Sequence, residues 1–430
     1  MRLLAHDHYF AQDIAALGDA LEPGDRIEVV SFDVLRSEAM RVLPEEVATN
    51  LEPFTRPEHA AARAEWARRL RTLLHELWIR HRFDAFVSPS DTFFYVRAAP
   101  DALHELGVPF ACVQKETTIS PFVMRALVED VRDHAPPIAD LTTVCSERNR
   151  DFWVRAGAAP ETVHVTGQPR FDVYGRRRRP ALEFGSGGPV VLFFSYMREA
   201  YHPKEFVGGA PGWQALHEQT EEGLWELARR GWRVLIKPHP QQPFAEERRR
   251  IARAAGPLLD DRVFLVDALH DTRELILGSD VLVGFLTTAL IEGLAARKPI
   301  VYTGWDPEAH EVVDDLIPFH RWGDVLDVVT DAGALADTVA AARGRTWSAA
   351  QDARAGEIVA EHLGPVDGRA AQRALALIRA EVDAFAAART PEVEARRAAL
   401  AARRPPLELG RKARAGVRRL RATVSALSSR

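Results

Sequence analysis

The sequence predicts an α/β protein built from two doubly wound domains that face each other across a cleft. Three observations support this prediction: a length of 430 residues, two successive series of alternating strands and helices, and a Gly-rich junction between them. A chain of this length exceeds what one ordinary hydrophobic core accommodates, so we expect two domains. Strands that alternate with helices form parallel sheets, because each crossover helix returns the chain to the same end of the sheet.

The first series lies in the amino-terminal part of the chain, residues 1–168. Short apolar runs predict its strands, and the Ala-, Arg- and Leu-rich run Arg56–His81 predicts its longest helix. The predicted strands are Arg2–Ala5, Arg26–Ser31, Ala85–Ser88, Val108–Val113 and Leu141–Cys145. We expect them to form one sheet that is covered by helices on both faces.

The second series occupies residues 169–345 and begins after a junction that contains a basic run, Arg176–Arg179, and a turn, Gly185–Pro189. Its predicted strands are Val190–Ser195, Arg233–Lys237, Val263–Val266, Val281–Gly284 and Ile300–Thr303. Its predicted helices are His217–Arg230, Phe244–Ala255, Thr272–Leu277 and Thr288–Ala296. A C-terminal helical extension, residues 346–390, precedes a tail that Pro391 opens.

The composition indicates a globular protein of a reducing compartment. Hydrophobic residues make up 47% of the chain and charged residues 27%, and the two cysteines, Cys112 and Cys145, are too few for a disulfide framework. The segment Met1–Ala5 lacks a signal-peptide apolar core, and no apolar run approaches the ~20 residues that span a bilayer. A net charge of −5 disfavours a general nucleic-acid binder. We therefore expect a cytoplasmic protein without a nucleic-acid partner.

The end of the chain has a different charge from the rest. Residues 396–430 contain eleven Lys or Arg and a single acidic residue, Glu408. If this segment is helical, its leucines and valines could form an apolar stripe between the arginines, and such a helix binds anionic membrane surfaces. The alternatives are a peripheral contact at the inner face of the membrane and a solvated, partly disordered tail.

A turn with two prolines, Lys237-Pro238-His239-Pro240, follows one predicted strand of the second series. Each proline restricts its own φ and disfavours a helical conformation of the preceding residue, so His239 is held at the end of a buried strand. A histidine held in this way could contact a phosphate at a modest entropic cost. The alternative is a strand-ending turn whose histidine faces water.

Two more polar segments follow strands of the same series. Ser195-Tyr196-Met197-Arg198 follows the first strand, and Thr287-Thr288 follows the fourth and precedes a helix. Ligands of open α/β sheets bind beyond the carboxyl ends of the strands. The threonine hydroxyls could cap the helix or bind an anion at the same helix end. Glu292, one turn after Thr288, could accept ribose hydroxyls or could be a surface glutamate.

These segments resemble the donor half of GT-B glycosyltransferases of bacterial surface-polysaccharide biosynthesis. The resemblance rests on Lys237–Pro240, on Asp280–Val301, and on the joint Val163–Asp172 with Cys145–Glu147 before it. The chain is similar to the CDP-glycerol glycerophosphotransferase and capsule polysaccharide transferase group, and the joint also resembles that of UDP-GlcNAc 2-epimerases. The matches span about residues 140–305, and threonines stand at 287 and 288 where serines are commoner.

The resemblance implies two Rossmann-like domains and a helical extension that packs back on the amino-terminal one. It also implies that the donor nucleotide's phosphates are held by His239, Thr287 and Thr288. The remaining candidates for the donor site are Ser195, Arg198, Lys237, Glu292 and, in the joint, Arg170. No Asp-X-Asp metal motif is present, so we expect a metal-independent reaction without a cofactor, in which cationic side chains neutralise the leaving diphosphate.

The amino-terminal domain is then expected to bind the acceptor and to supply the catalytic base. Asp7 and His8 follow the first strand, where Asp7 could deprotonate an acceptor hydroxyl or simply cap the next helix. Glu116, after another strand, is the second candidate base. The segment Ser88–Thr92 is better explained by turn chemistry.

The sequence thus predicts a transferase that moves a sugar or polyol phosphate from a nucleotide-activated donor to a cell-surface glycan acceptor, which could be lipid-linked. The enzyme alternative is an isomerase that resembles UDP-GlcNAc 2-epimerases. A third interpretation is a non-catalytic nucleotide-binding scaffold protein of a glycan assembly complex.

Overall fold

The computed structural model describes residues 1–116, 118–176, 179–196, 212–239, 242–267, 270–305 and 316–403. The chain divides into two compact units. Unit 1 comprises Met1–Ile119, Val123–Asp172 and Glu361–Arg430, and unit 2 comprises Ser120–Phe122 and Val173–Ala360. Residues 404–430, which make up most of the predicted basic tail, lie outside the described residues.

Unit 1 contains a six-stranded parallel sheet with the order β2-β1-β3-β4-β5-β6. Its strands are β1 (Arg2–Asp7), β2 (Arg26–Ser31), β3 (Ala85–Ser88), β4 (Phe110–Val113), β5 (Leu141–Val144) and β6 (Val163–Val165). Strand β4 begins two residues later than predicted, and Pro109, which lacks an N–H, precedes it. The three-residue β6 was not predicted, because so short a run shows no period.

Unit 2 contains a second six-stranded parallel sheet with the order β12-β11-β10-β7-β8-β9. Its strands are β7 (Val190–Phe194), β8 (Arg233–Lys237), β9 (Val263–Leu265), β10 (Val281–Gly284), β11 (Ile300–Thr303) and β12 (Asp327–Val329). The prediction of two doubly wound sheets is confirmed. Strand β12 was missed for the same reason as β6.

Helices connect the strands of both sheets. Among the described residues they are α1 (Ala11–Asp19), α2 (Phe32–Ala39), α3 (Glu52–Thr55), α4 (Ala60–His81), α5 (Ala99–His104), α6 (Pro121–His134), α7 (Glu147–Arg155), α8 (Asp172–Arg176), α9 (Gly212–Arg229), α10 (Phe244–Ala255), α11 (Thr272–Gly278) and α12 (Ala289–Ala295). They continue with α13 (Leu335–Ala342), α14 (Ala349–His362), α15 (Ala370–Ala387) and α16 (Pro391–Ala401). None of the helices described is long and apolar enough to cross a membrane.

The two faces of the unit 1 sheet have separate cores, as the alternation of side chains along each strand requires. Leu4, Phe86 and Phe110 point to one face, where the apolar stripe of α4 packs with them. Leu3, Ala85 and Ala111 point to the other face, which α1 and α15 cover. Both faces are buried, as expected for a parallel sheet.

Helix α15 belongs to unit 1, and its first turn is fixed by the joint. The two carboxylate oxygens of Asp172 accept hydrogen bonds from the backbone N–H groups of Ala370 (2.8 Å) and Ala371 (2.9 Å). These are N–H groups that a helix cannot satisfy internally. Asp172 therefore determines where the helix begins.

Residue 391, expected to open a tail, instead begins helix α16. Thr390 caps it by accepting a hydrogen bond from the N–H of Val393 (3.4 Å), and Pro391 occupies the first turn, where its missing N–H costs nothing. Leu400 packs into the core beside α4, and the Arg397 guanidinium lies 4.9 Å from the ring centroid of Trp78. These contacts hold the first eleven residues of the segment in place.

Candidate functional site

The carboxyl ends of β10, β7 and β8 are adjacent in the unit 2 sheet. Phe194 pairs with Lys237 on one side and with Gly284 on the other, so the residues that follow these strands begin in register. Ser195 follows β7, Pro238 and His239 follow β8, and the segment 285–288 follows β10. The topology therefore places three of the predicted polar segments side by side, at the sheet edge where α/β proteins bind ligands.

Gln242 joins two of these strand ends. Its side-chain Oε1 accepts a hydrogen bond from the backbone N–H of His239 (2.6 Å), and its Nε2 donates to Ser195 Oγ and to the carbonyl of Tyr196 (both 3.4 Å). The sequence analysis did not identify this residue, because a glutamine three positions after a histidine carries no recognisable signal. Gln242 restrains the His239 loop and the Ser195 hydroxyl together.

Behind Ser195 lies a row of buried polar side chains. The ring Nε2 of His217 is 3.0 Å from Ser195 Oγ, and its Nδ1 is 3.7 Å from the carboxylate of Glu221. Two hydrogen bonds of 2.6 Å join that carboxylate to the guanidinium of Arg250. His217 and Glu221 are 1% and 3% exposed, so the row acts as an internal support that orients the Ser195 hydroxyl.

His239 itself is half-buried. Burial lowers the pKa of its imidazole below the usual 6.5, so the ring is neutral at neutral pH. A neutral imidazole offers one N–H donor and one acceptor nitrogen. His239 can therefore donate a hydrogen bond to a phosphate oxygen, although it adds no positive charge.

The loop after β10 has a strained conformation. The backbone of Leu286 adopts φ +49°, a value that residues other than glycine rarely adopt. Gly284 allows Thr287 to approach the backbone closely, because a Cβ added at Gly284 would lie 3.0 Å from Thr287 Cγ2. Such strain persists only where the surrounding structure requires it, and it concentrates at functional sites. Here it determines the positions of Thr287 and Thr288.

The two threonines have different roles. Thr287 Oγ1 accepts the N–H of Ala289 (3.4 Å) and its carbonyl accepts the N–H of Leu290 (3.1 Å). The side chain of Thr288 makes no capping bond and is exposed. The backbone N–H groups of Ala289 and Leu290 are therefore already bonded within the protein, and Thr288 rather than Thr287 presents its hydroxyl.

Glu292 is held from behind by a tyrosine. The phenol of Tyr174 donates a 2.6 Å hydrogen bond to Glu292 Oε2, and Tyr174 is 1% exposed. Burial and the adjacent carboxylate raise the pKa of this phenol well above its usual value. Glu292 is half-buried, and this hydrogen bond restrains its carboxylate.

Lys237 and Arg170 take structural positions that the sequence analysis did not predict. The ammonium of Lys237 donates to the backbone carbonyls of Asp267 and His270 beyond β9, and burial lowers its pKa. Arg170 lies in unit 1, where its guanidinium (3.3 Å) and its backbone N–H (3.0 Å) donate to the buried carboxylate of Asp13. Arg198 lies outside the described residues.

In unit 1, Asp7 and His8 follow β1. Asp7 Oδ1 accepts the N–H of Phe10 (3.2 Å), which is the helix-start interaction considered as the alternative, and burial raises the pKa of its carboxyl. His8 lies between the rings of Phe32 and Phe93, with centroids at 4.5 Å from each. Burial and then the charge of Lys115 lower its pKa to about 4, so His8 is neutral.

Lys115, which follows β4, lies close to Tyr9, which follows β1. Its ammonium is 5.3 Å from the ring centroid of Tyr9 and 3.5 Å from the carboxylate of Glu116. The Tyr9 side chain is 79% exposed, and its backbone has φ +53°. The structure thus groups Asp7, His8 and Glu116, the three predicted acid–base residues, at one edge of the unit 1 sheet.

His6 is a polar residue of this edge to which the sequence analysis assigned no role. It is completely buried, and Nδ1 is 3.4 Å from Ser88 Oγ. Burial and then the neighbouring His8 lower its pKa to about 3. Within the described ranges, no group of three or more His, Cys, Asp or Glu side chains is arranged to hold a metal ion.

Comparison with known proteins identifies the architecture. No family model matches the chain, and no curated protein matches it. The putative UDP-N-acetylglucosamine 2-epimerase from Listeria monocytogenes is 16% identical, with a TM-score of 0.51 over 89% of this chain and 97% of that one. The UDP-N-acetylglucosamine 2-epimerase from Rickettsia bellii is 11% identical, with a TM-score of 0.50 over 90% and 98%. The chain has the GT-B fold.

The wall teichoic acid polymerase TagF also matches, at 14% identity and a TM-score of 0.45, over 70% of this chain and 73% of that one. At such identities the solved structures establish the GT-B fold and nothing finer.

Proposed function

We propose that this GT-B protein is a metal-independent transferase that moves a sugar or polyol phosphate from a nucleotide-activated donor to a glycan acceptor. The observation that carries the proposal is the group of Ser195, His239 and Thr288 at three adjacent strand ends, with Gln242 joining the first two. Unit 2 would bind the donor at this edge. Unit 1 would bind the acceptor.

The donor's diphosphate would be recognised by neutral hydrogen-bond donors. The His239 imidazole and the hydroxyls of Ser195 and Thr288 can each donate to a phosphate oxygen, and hydrogen bonds to charged groups contribute about 1.5–3 kcal/mol each. Glu292, oriented by Tyr174, would accept from the ribose hydroxyls. These contacts suit a nucleoside diphosphate and require no metal ion.

The base would be Asp7. Its pKa is raised by burial, and a base whose pKa approaches the working pH is the more effective one. The hydrogen bond from Phe10 occupies Oδ1, and Oδ2 is not used by that bond. Glu116, 70% exposed beside Lys115, is the alternative base.

The first test measures donor binding. The thermal stability of the full chain is measured with CMP, CDP, UDP and GDP, and we expect one nucleotide to raise the melting temperature. His239→Ala should lower the affinity for that nucleotide by about ten-fold or more, because it removes a hydrogen bond to a charged group. His164→Ala, at a half-buried position on β6, is the matched control. If none of the nucleotides stabilises the protein, the transferase and the epimerase-like isomerase are both wrong.

The second test separates the transferase from its alternatives. The isomerase remains a candidate because two solved structures that share the fold at a TM-score of at least 0.50 carry the name of UDP-N-acetylglucosamine 2-epimerase. Nuclear magnetic resonance of UDP-GlcNAc incubated with the protein would distinguish an epimerised sugar from transfer to an added glycan. Nucleotide binding without turnover, unaffected by Asp7→Asn or Glu116→Gln, would indicate the scaffold protein.

A further inference from the structure

Unit 1 contains a cavity of about 420 Å³, within the size range of sites for small ligands. Helix α2, the segment 47–54, the loop 92–97 after β3, and helix α6 supply its walls. Of the residues with proposed roles in binding or catalysis, only His8 reaches it. The remaining lining residues therefore need an explanation of their own.

One wall of the cavity is aromatic. The rings of His8, Phe93 and Tyr95 form a cluster in which the centroid of Phe93 is 4.5 Å from that of His8 and 5.4 Å from that of Tyr95, and the centroids of His8 and Tyr95 are 6.2 Å apart. The interplanar angles are 26° and 17°, and a hydrogen bond of 2.5 Å joins His8 Nδ1 to the Tyr95 hydroxyl. These contacts hold the rings in place, so they present a rigid surface against which the apolar face of a sugar ring can pack.

Other parts of the wall offer hydrogen-bonding groups. Thr49, Asn50 and Thr92 line the cavity, and Asp130 and His134 of α6 line it as well. A ligand with several hydroxyl groups matches such a mixture of hydroxyl, amide, carboxylate and imidazole groups. Thr49 donates to the carbonyl of Glu46 (2.8 Å) and His134 Nδ1 lies 3.1 Å from Thr55 Oγ1, so a ligand would use the hydrogen-bonding capacity that remains on this wall.

The charge of the lining is positive. It contains two guanidinium groups, of Arg36 and Arg97, and one carboxylate, of Asp130. Nη1 of Arg97 is committed to the carbonyls of Asp91 (3.1 Å) and Pro136 (2.7 Å). Arg36 is exposed, and it makes no ion pair within the part of the chain that the structure describes. A planar guanidinium without an acidic partner suits a phosphate or carboxylate.

We propose that this cavity binds a saccharide unit that carries an anionic group, with the sugar ring against Phe93 and the phosphate or carboxylate on Arg36. The inference rests on the proposed function and deepens it, because it makes the glycan acceptor an acidic or phosphorylated one. The ligand of this cavity differs from the donor in having no nucleotide.

The experiment is a calorimetric titration of the full chain with four probes: glucose 1-phosphate, glucuronate, methyl glucoside and inorganic phosphate. We expect glucose 1-phosphate, glucuronate or both to bind, and the other two probes to bind at least ten-fold more weakly. Arg36→Gln should lower the affinity for the probe that binds by at least ten-fold. Arg68→Gln removes another exposed arginine, which pairs with Glu65 on α4, and should change nothing.

The results for the acceptor cavity and for the donor site can be distinguished. Methyl glucoside binding as tightly as the anionic sugars, inorganic phosphate binding as tightly as glucose 1-phosphate, or no binding by any probe would each overturn it. So would an unchanged affinity in Arg36→Gln. Nucleotide binding is measured on the same samples. If a nucleotide binds and the sugars do not, only the acceptor inference fails. If the anionic sugars bind and no nucleotide does, the proposed transferase fails, and the cavity remains a saccharide site without the acceptor role.

Discussion

The phenol of Tyr174 donates a hydrogen bond of 2.6 Å to Oε2 of Glu292 from a side chain that is 1% exposed. The two residues are 118 positions apart in the chain. A carboxylate on the second turn of a short helix would otherwise sample several rotamers. The hydrogen bond from Tyr174 restrains the Glu292 carboxylate on the helix that begins at the carboxyl edge of the sheet.

Tyr174→Phe should therefore weaken binding of a ribonucleoside diphosphate by about three- to ten-fold, because the loss of one hydrogen bond costs about 1 kcal/mol or slightly more. The affinity for the 2′-deoxy form should change less, since one of the hydroxyls that Glu292 would accept from is missing. Titration of the preferred nucleotide and of its 2′-deoxy form measures both. Ser279→Ala, which removes a buried hydroxyl of unit 2 before the amino-terminal end of β10, is the control. An equal loss for both nucleotides would contradict the role of Glu292 at the ribose.

Gln242→Met should weaken nucleotide binding several-fold, because it releases the backbone N–H of His239 and the hydroxyl of Ser195 together. Hydrogen exchange at the His239 amide, followed by mass spectrometry, should become faster. Gln214→Met, at an exposed glutamine of α9, should affect neither quantity. Unchanged exchange at His239 in the Gln242 variant would mean that another contact holds the loop.

The buried histidine His6 should make the protein less stable in acid. Its pKa is lowered from 6.5 to about 3 in the folded protein, so the unfolded chain binds the proton more readily. The contribution of His6 to stability is therefore complete above pH 6.5 and falls by up to about 1.4 kcal/mol per pH unit below it, until the folded pKa is reached. Urea unfolding between pH 4.5 and 7.5 measures this slope, and His6→Gln should reduce it.

His104 has the opposite effect on the pH dependence of folding stability. The hydrogen bond to Asp140 raises its pKa, so its contribution to stability is present below the unfolded pKa and is lost as the pH rises through the folded one. Because His104 is protonated in both the folded and the unfolded state below pH 6.5, His104→Gln should lower stability there by a constant amount and leave the slope in acid unchanged, whereas His6→Gln makes that slope shallower. If His104→Gln reduces the slope below pH 6.5 as much as His6→Gln does, the assignment of the acid sensitivity to His6 is wrong.

Asp13→Ala should destabilise unit 1 by about 2–4 kcal/mol, because it leaves buried hydrogen-bond donors without an acceptor. The carboxylate of Asp13 is fully buried, and it accepts from Gln168 Nε2 (2.7 Å) as well as from Arg170. Urea denaturation gives the free energy of unfolding. Asp19→Ala, at an exposed position of the same helix, should cost less than about 0.5 kcal/mol. Equal effects of the two substitutions would contradict the structural role of Asp13.

The strands that the sequence predicted well are those with a strong local signal. Val190–Phe194 and Val281–Gly284 are continuous apolar runs between polar segments, and they are buried at every position in the structure. Strands β6 and β12 are only three residues long, and their stability comes from pairing with a neighbouring strand rather than from their own pattern. No window of local sequence contains that information.

The same distinction applies to the candidate site. His239, Ser195 and the two threonines could be found because they follow strands, and strand ends of a parallel sheet meet at one edge. Gln242 and Tyr174 could not, because their importance lies in contacts with other segments. Lys237 and Arg170 were taken for phosphate ligands from their charge and position, and the structure shows instead which carbonyls and which carboxylate they bind.

The sequence by itself thus determined the two doubly wound sheets and the order of the polar segments at their carboxyl edges, because apolar runs and turn residues act over a few positions. Only the tertiary structure decided which polar side chains are free to meet a ligand and which are held by the protein. That outcome depends on hydrogen bonds and burial between residues as far apart as Tyr174 and Glu292, and such contacts exist only once the chain has folded.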